Sequence, residues 1–306
     1  MDPVKRAVEV LRSGGLVAFP TETVYGLGAD ADNPGAVRRI FDAKGRPPGR
    51  SLTVHLGPEA RLEAWGEWSE PARRLANAFW PGPLTVIVPR TARVSDVVTG
   101  GRDTVGLRVP SHPLAISMLE AFGGGVAAPS ANRSGRVSPT SADDVRTELG
   151  DAVDLVLDGG ACPVGLESTV LSLADDPPLV LRLGAVTRDA LEEVLGGPVR
   201  LPDGGVTPRY RPRTPLRVLA WDQLAAAVAL ETGPVAVIAP QRPPGARVHW
   251  VTAPEDAATY ARELYRMLRA LDGEDYAVIL VAEVPSGGLW EAVASRLRAA
   301  ESPTGG

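Results

Sequence analysis

The sequence is poor in the residue types that most often carry covalent or metal chemistry. Its 306 residues include one cysteine, Cys162, and three histidines. A single cysteine cannot form an internal disulfide, so the composition fits a reducing compartment. The chain also has no Walker loop and no HExxH or CxxC motif, and it has little material for a nucleophilic triad. The sequence therefore predicts no metal site, and we expect Cys162 to be a bystander thiol.

The sequence also has no long hydrophobic run and no strong excess of one charge. No stretch is apolar for the ~20 residues that a membrane helix needs. The amphipathic N-terminal segment lacks the apolar core of a signal peptide. The formal net charge of −5 argues against a general nucleic-acid coat but allows a local basic cleft. We expect a soluble, cytoplasmic protein that does not contact a membrane.

Hydrophobic patterning predicts an α/β domain over residues 1–200. Apolar periodicity of the helical kind and cap residues predict an N-terminal helix that ends at Gly14 and Gly15. Further helices are predicted at 33–45, 71–80, 112–122, 141–149 and 187–195. Short apolar runs predict strands at 16–20, 51–56, 84–89, 104–110, 125–130, 154–160 and 168–173.

A proline-rich linker is predicted to separate this domain from a smaller one. Residues 201–215 contain four prolines and two glycines and have no apolar period. Beyond them, 216–306 alternates strands and helices, which favours a small, doubly wound, Rossmann-like α/β domain. Its strands are predicted at 216–220, 234–240 and 276–284, with a helix between the first two and further helices at 254–272 and 288–300.

The segment FPTETVYGLGAD, at 19–30, follows the first strand. It offers hydroxyl groups on Thr21 and Thr23, then a predicted turn at Gly26-Leu27-Gly28. Glycines in such a turn would let backbone N–H groups approach a ligand closely. The alternative is a structural turn between a strand and a helix.

A second segment, AKGRPPGRSLTVHL, places Lys44, Arg46 and Arg50 on one Pro/Gly loop. A guanidinium group can bind phosphate oxygens through two parallel hydrogen bonds, so this loop suits a polyphosphate. A solvated basic loop is the alternative. His55 by itself is more typical of a packed histidine than of a catalyst.

A third group of polar side chains lies on or beside the predicted later strands. Thr104 and Arg108 share one face of a strand, and an arginine among Val and Leu needs an anionic ligand or a structural carboxylate. The segments AAPSAN (127–132), GLESTV (165–170) and LRLG (181–184) add hydroxyls, a carboxylate and Arg182. Such a set suits a site that works by positioning and charge neutralisation rather than covalent catalysis.

Together these segments resemble the YrdC-like threonylcarbamoyl-AMP synthase family. The set FPTETVYGLGA, KGRP, WPGPLT, DTVGLRVPSHP, APSAN, GLESTV and LRLG occurs here in the order typical of the family. The linker segment Arg209-Tyr210-Arg211-Pro212 is similar to a family segment, and 216–306 resembles the extra domain of longer members. One departure is Arg50-Ser51-Leu52, since the family loop usually reads Asn-Pro-Leu.

The resemblance implies an open twisted sheet with a deep groove, and it implies roles for individual residues. Lys44, Arg46 and Arg108 would be catalytic. L-threonine would contact Thr21, Thr23, His55, Arg108, Ala128 and Ser168, with Arg108 on its carboxylate. ATP would contact Arg46, Arg50, Thr104, Ser130, Asn132, Ser138, Arg182 and Tyr210. The linker would act as a lid, with Tyr210 over the nucleotide.

The implied reaction joins L-threonine, bicarbonate and ATP into threonylcarbamoyl-AMP, with Mg²⁺ held mainly by the ATP phosphates. The resemblance further implies a monomer whose product passes to the tRNA threonylcarbamoyl transferase machinery. Contact with tRNA or double-stranded RNA stays open. Two alternatives also stay open at this point: a carbamoyl-transfer enzyme that uses carbamoyl phosphate, and an RNA-binding or regulatory module without catalysis.

Overall fold

A computed structural model of the chain describes residues 2–201, 210–243 and 248–302. The described residues form two compact units. The first contains residues 2–134 and 138–201, and the second contains Gly135–Val137 and the described residues from Tyr210 onward. Residues 202–209 of the predicted linker lie outside the described residues. No helix of the described part combines the length and the apolarity needed to cross a bilayer.

Helices of the first unit begin and end where the cap residues dictate. Asn33 accepts hydrogen bonds from the N–H groups of Gly35 and Ala36, and Gly45 ends the same helix in the left-handed region, at φ 58°. Ser141 and Asp144 form a capping box. The helices are α1 (Pro3–Arg12), α2 (Pro34–Lys44), α3 (Glu70–Phe79), α4 (Asp96–Thr99), α5 (Pro113–Phe122), α6 (Ala142–Leu149) and α7 (Arg188–Leu195).

The first unit is built on a mixed nine-stranded sheet. Its strands are β1 (Val17–Phe19), β2 (Gly26–Asp30), β3 (Thr53–His55), β4 (Leu84–Pro89), β5 (Thr104–Arg108), β6 (Val126–Ala128), β7 (Leu155–Val156), β8 (Thr169–Ser172) and β9 (Leu179–Arg182). They lie in the order β7-β1-β2-β6-β3-β5-β4-β8-β9. Three neighbouring pairs are parallel (β1 with β7, β3 with β5 and β4 with β8), and the other five are antiparallel.

Two hydrophobic clusters hold this sheet. The larger one includes buried Tyr25, Ile40 and Leu107. The smaller one packs α1 and α5, through Leu11 and Met118, against strand residues such as Phe19. Burying one large apolar side chain stabilises a fold by about 1.5–3 kcal/mol, so these clusters supply the main folding force.

The predicted glycine turn at 26–28 is wrong. Gly26 and Gly28 lie within strand β2, which pairs with β1 and β6. A Cβ atom on Gly28 would lie 2.6 Å from the Val126 side chain and 2.8 Å from the Phe19 ring. These glycines are therefore required by close packing of the sheet. Strand β9 was not predicted, and β7 is much shorter than the predicted strand at 154–160.

The second unit contains a four-stranded, fully parallel sheet in the order β10-β13-β11-β12. Its elements are β10 (Leu216–Leu219), α8 (Trp221–Leu230), β11 (Val235–Ala239), β12 (His249–Thr252), α9 (Ala257–Asp272), β13 (Val278–Ala282) and α10 (Leu289–Ala300). All five residues of β11 and of β13 are buried, as expected for central parallel strands. Strand β12 was not predicted.

Residues Gly135–Val137 belong to the second unit although they interrupt the first in sequence. The Arg211 N–H donates to the Gly135 carbonyl at 3.0 Å. Arg136 forms a half-buried ion pair with Asp272 at 2.7 Å. These bonds explain why this short loop clusters with the second unit.

Candidate active site

A polar pocket opens over one row of the large sheet, within the first unit. Register places His55 of β3 beside Arg108 of β5. Thr85 precedes Val86, which pairs with Leu107, so Thr85 of β4 stands on the other side of Arg108. Thr85 pairs in turn with Val170 of β8, and Val170 pairs with Arg182 of β9. The pocket is lined by Thr21, Thr23, Val24, Gly26, Thr53, His55, Thr85, Arg108, Ala128, Pro129, Ser130, Glu167, Ser168 and Arg182.

Buried Arg108 is fixed on two sides. Its Nη2 lies 2.7 Å from Oε1 of Glu22 and donates to Thr23 Oγ1 at 2.9 Å. Its Nε donates to the Gly82 carbonyl at 3.3 Å. The second oxygen of Glu22 accepts the Ser111 N–H at 3.1 Å. Of the alternatives for Arg108, the structure provides the structural carboxylate, and Nη1 has no hydrogen-bond partner among the described residues.

His55 lies beside Arg108 and is also buried. Burial, reinforced by the Arg108 charge, lowers the pKa of His55 to about 3. The ring is therefore neutral at physiological pH. Its Nδ1 is buried and has no hydrogen-bond partner among the described residues. The imidazole packs edge-on to Phe19, with ring centroids 5.7 Å apart.

Ser168 lies where two polar side chains converge. Arg182 donates through Nη2 to Ser168 Oγ at 3.0 Å and through Nε to the Ser168 carbonyl at 2.9 Å. Ser168 Oγ lies 2.8 Å from Thr85 Oγ1. The Ser168 and Thr85 side chains are 2% and 1% exposed, so this hydroxyl pair is shielded from bulk water.

All six residues predicted to contact the amino acid line this one pocket: Thr21, Thr23, His55, Arg108, Ala128 and Ser168. Of the residues predicted to contact ATP, Ser130 and Arg182 line it as well. Buried Ser138 donates to Oε1 of Glu167, a pocket-lining carboxylate, at 2.6 Å. The remaining predicted contacts of the nucleotide lie outside this lining.

Lys44 does not point its ammonium group outward as a member of a basic surface loop. Its side chain is buried, and Nζ donates to the carbonyls of Ser130 and Asn132. The Lys44 carbonyl accepts the Ser134 N–H at 2.8 Å. Burial lowers the pKa of Lys44 to about 7. Lys44 therefore ties the end of α2 to the loop that carries Ser130 and Asn132.

Four other predicted ATP contacts do not line the pocket. Arg46 is half-buried, with Nη2 donating to the Ser51 carbonyl at 3.2 Å, and Arg50 is exposed. Thr104 begins β5, half-buried, opposite Pro89. Tyr210 is buried in the second unit, where its ring lies 6.1 Å from that of Tyr265.

Sequence reasoning did not assign roles to four residues at or beside the pocket: Glu22, Thr53, Thr85 and Glu167. Each lies within or beside a motif already singled out. A pattern could have found Thr85, since it is a polar residue inside the apolar strand LTVIVP. Glu22 needed the fold, because nothing in the sequence places it against Arg108.

The donors of the site suit anions rather than a metal ion. No group of three or more His, Cys, Asp or Glu side chains among the described residues is placed to hold a metal. Arginine and hydroxyl groups donate hydrogen bonds, and buried anions need such donors.

Comparisons with known proteins identify the family of the chain. A family model described as "Telomere recombination", which covers Sua5, YciO and YrdC, matches residues 9–184. A model described as "Threonylcarbamoyl-AMP synthase, C-terminal domain" matches residues 186–302. The chain is 37% identical to threonylcarbamoyl-AMP synthase of Bacillus subtilis strain 168, over 97% of this chain and 92% of that protein.

Solved structures lead to the same family. The crystal structure of Pyrococcus abyssi Sua5 complexed with L-threonine has a TM-score of 0.89 and 36% identity, covering 97% of this chain and 93% of that chain. Threonylcarbamoyl-AMP synthase of Pyrococcus abyssi is 38% identical over 97% of this chain and 93% of that protein. The predicted fold class and enzyme class are thereby confirmed. The chain belongs to the threonylcarbamoyl-AMP synthase family, in the longer form that carries a C-terminal domain.

Proposed function

We propose that this chain condenses L-threonine, bicarbonate and ATP into threonylcarbamoyl-AMP and pyrophosphate. One observation carries the proposal: a single row across the sheet places Arg108 on one side of Thr85 and Arg182, beyond Val170, on the other side. Both the amino acid and the nucleotide are anions, so a site that joins them must offset their repulsion with fixed cations. The residue assignments given by the family resemblance are part of this proposal.

The Arg108 side of the pocket suits the amino acid. Glu22 and the Gly82 carbonyl fix the orientation of the guanidinium and leave Nη1 for a carboxylate. Neutral His55 offers its unpartnered Nδ1 to a hydroxyl group. A pocket that hydrogen-bonds a hydroxyl rejects an analogue lacking it strongly, so threonine is favoured over valine.

The reaction proceeds through a carbamate. The neutral amine of threonine forms a bond to the carbon of bicarbonate, and the C–OH bond breaks. The leaving hydroxide takes one proton from the amine nitrogen and departs as water. A carbamate oxygen then attacks the α-phosphorus of ATP, the bond from that phosphorus to the bridging oxygen breaks, and pyrophosphate leaves. The chain's own residues hold and orient these anions, and none of them becomes covalently attached.

The nucleotide side rests on Arg182, Ser130 and the residues around them. Arg46 and Arg50 provide cations on the neighbouring loop, and Lys44 holds the carbonyls of the loop that carries Ser130. Mg²⁺ would arrive on the ATP phosphates, which it neutralises, because the carboxylate lining the pocket, Glu167, is engaged by Ser138. Tyr210 would cover the bound nucleotide.

Further parts of the proposal concern the setting of the enzyme. The single cysteine, Cys162, is buried, which fits a cytoplasmic location. The product is a reactive mixed anhydride, so it would pass directly to the tRNA threonylcarbamoyl transferase machinery. We propose a monomer, with contact to tRNA or double-stranded RNA as an accessory property.

Pyrophosphate release by the purified full-length chain tests the proposal. With ATP present, release should require both L-threonine and bicarbonate, and valine should not replace threonine. A carbamoyl-phosphate-dependent enzyme would instead need carbamoyl phosphate, and a non-catalytic RNA-binding module would release no pyrophosphate. Release that is independent of threonine would contradict the proposed reaction.

A further inference from the structure

The two hydroxyl pairs of the pocket differ in how many of their hydrogens are already used. In the first pair, Thr21 donates its hydrogen to the Val24 carbonyl at 2.6 Å. Thr23 must then donate to Thr21 across the 2.7 Å contact that joins their hydroxyls. Thr23 also accepts from Arg108. Both hydrogens of this pair are therefore committed to protein atoms.

The second pair, Thr85 and Ser168, keeps one hydrogen uncommitted. Arginine can only donate, so Ser168 Oγ accepts from Arg182. One hydrogen is used in the 2.8 Å contact between Ser168 and Thr85, whichever of them donates it. The other hydrogen has no acceptor among the described residues. Both hydroxyls line the pocket and are almost completely buried.

A buried donor of this kind requires a ligand acceptor, because leaving a polar group unpaired inside a protein is unfavourable. The Arg182 guanidinium donates into the pair and polarises it, which strengthens the remaining O–H as a donor. The complementary ligand group is an oxygen that carries negative charge.

The position of the pair restricts which anion that is. Thr85 stands between Arg108 and Val170, and Val170 pairs with Arg182. Under the proposed function, the carboxylate of the amino acid occupies the Arg108 side and the triphosphate occupies the Arg182 side. Bicarbonate must lie between them, because its carbon bonds to the threonine amine. One of its oxygens later attacks the α-phosphorus of ATP.

A glycine leaves room beside Thr85. Gly106 of β5 lies between Thr85 and Thr53, and a Cβ atom there would come 3.2 Å from the Thr85 methyl group and 3.6 Å from Thr53 Oγ1. A side chain at this position would crowd Thr85 and Thr53, which both line the pocket. Gly106 therefore keeps space open beside Thr85.

We propose that the Thr85–Ser168 hydroxyl pair is the bicarbonate subsite of this enzyme. The inference rests on the proposed function and adds a site for the third reactant. Ser168 donates to Thr85, and Thr85 donates the free hydrogen to one bicarbonate oxygen, while the bicarbonate carbon faces the amine. The Ser168 oxygen can still accept a hydrogen bond from threonine. Once the N–C bond forms and water leaves, the carbamate keeps the same hydrogen bond.

The test is the dependence of pyrophosphate release on bicarbonate, in buffer freed of carbon dioxide and supplied with known bicarbonate concentrations. Thr85→Val removes the hydroxyl at nearly constant volume. It should raise the KM for bicarbonate about tenfold, the typical effect of one hydrogen bond to a charged group, while the KM values for threonine and ATP change less than about twofold. Thr85→Ser keeps the hydroxyl and should keep the KM for bicarbonate.

A matched control separates this effect from general damage to the sheet. Ser172 of β8 is also buried, and its hydroxyl donates to Asp175 at 2.7 Å, outside the pocket lining. Ser172→Ala should leave all three KM values unchanged. An unchanged KM for bicarbonate in folded Thr85→Val would overturn the subsite. A uniform rise in all three KM values in that variant would overturn it as well.

Inhibition of the unmodified enzyme supplies a second test that does not depend on any variant folding. Nitrate is a planar, singly charged oxyanion, so it should compete with bicarbonate and not with threonine or ATP. Competition with threonine would mean that planar anions bind at Arg108, and the subsite would be abandoned. If the wild-type chain releases no pyrophosphate with threonine, bicarbonate and ATP, then the proposed function itself has failed.

Discussion

Glu22 and Arg108 form an ion pair of 2.7 Å with both side chains buried, at the edge of the pocket. The guanidinium expected to bind the substrate carboxylate is thus already held by a carboxylate of the protein. The two opposite charges stabilise each other in the buried site. Removing either one leaves the other buried without a partner, which is strongly unfavourable. The pair fixes the direction in which Arg108 presents its remaining N–H groups.

The first prediction follows from this dependence. Arg108→Met should lower the free energy of unfolding by about 3–5 kcal/mol, because it leaves the Glu22 carboxylate buried without its cation. Adding Glu22→Gln to that variant should recover part of the loss. Denaturant unfolding of the two single variants and the double variant measures the coupling. Purely additive losses would show that the ion pair does not link the two side chains.

The second prediction separates Lys44 from Arg46, which lie two positions apart in one motif. Lys44→Met should lower the free energy of unfolding by about 1–3 kcal/mol for each carbonyl that loses its donor. Arg46→Ala should change stability less than Lys44→Met, because the Arg46 side chain is half-buried whereas the Lys44 side chain is buried. Arg46→Ala should instead raise the KM for ATP about tenfold or more, and it should raise the KM for threonine by a smaller factor.

Thermal unfolding of these two variants, with the KM for ATP measured in parallel, checks the contrast. If Lys44→Met were as stable as the parent and only its KM for ATP rose, Lys44 would be a phosphate ligand in solution. The positioning role assigned to it would then be wrong.

The fold could be predicted from the sequence where its elements follow from local rules. Cap residues such as Asn33 and Gly45 mark helix ends, and apolar runs such as LTVIVP mark buried strands, so these elements were found with small boundary errors. Strand β2 was missed because its glycines favour a turn locally. The tertiary contacts with Phe19 and Val126 explain their place in a strand.

The site could be predicted in part, for a similar reason. The family motifs predicted six contacts of the amino acid, and those six residues do line one pocket. The pairing of Arg108 with Glu22, and of Thr85 with Ser168, depends on long-range contacts between residues 86 and 83 positions apart in the chain. No local pattern specifies such pairs, and the direction of the Lys44 side chain could not be read from its basic loop.

The third prediction concerns acid stability. The folded pKa of His55, about 3, lies below its ordinary value, so between pH 6.5 and pH 3 the unfolded chain binds a proton that the folded chain does not. Stability is therefore lost as the pH falls through this window. The loss from His55 should reach about 2–3 kcal/mol near pH 4.5. His55→Gln cannot titrate and should lose less stability over the same range.

The measurement is the free energy of unfolding of both proteins between pH 7 and pH 4.5. Carboxylates that titrate in this range contribute equally to both chains, so the difference between the two curves isolates His55. Parallel curves would mean that the imidazole is accessible to protons in the folded state and that its burial is incomplete.

The fourth prediction concerns Tyr210, which is buried in the second unit. Its ring lies 6.1 Å from the Tyr265 ring, and the Arg296 guanidinium carbon lies 5.4 Å from its centroid. A residue that covers a bound nucleotide would have to exchange these contacts for the ligand. We therefore expect ATP plus threonine to protect residues 201–215 from protease cleavage.

Variants at Tyr210 decide between a lid and simple packing. Ordering an aromatic residue over the site would exclude water from the mixed anhydride, so Tyr210→Ala should lower the yield of intact product more than it lowers pyrophosphate release. Tyr210→Phe keeps the ring and should retain most of the yield. Because the packing against Tyr265 and Arg296 is lost in the alanine variant, its second unit should also unfold at a lower temperature. A variant that loses this stability but keeps full product yield, with a linker cleaved equally with and without ligands, would show that Tyr210 serves packing alone.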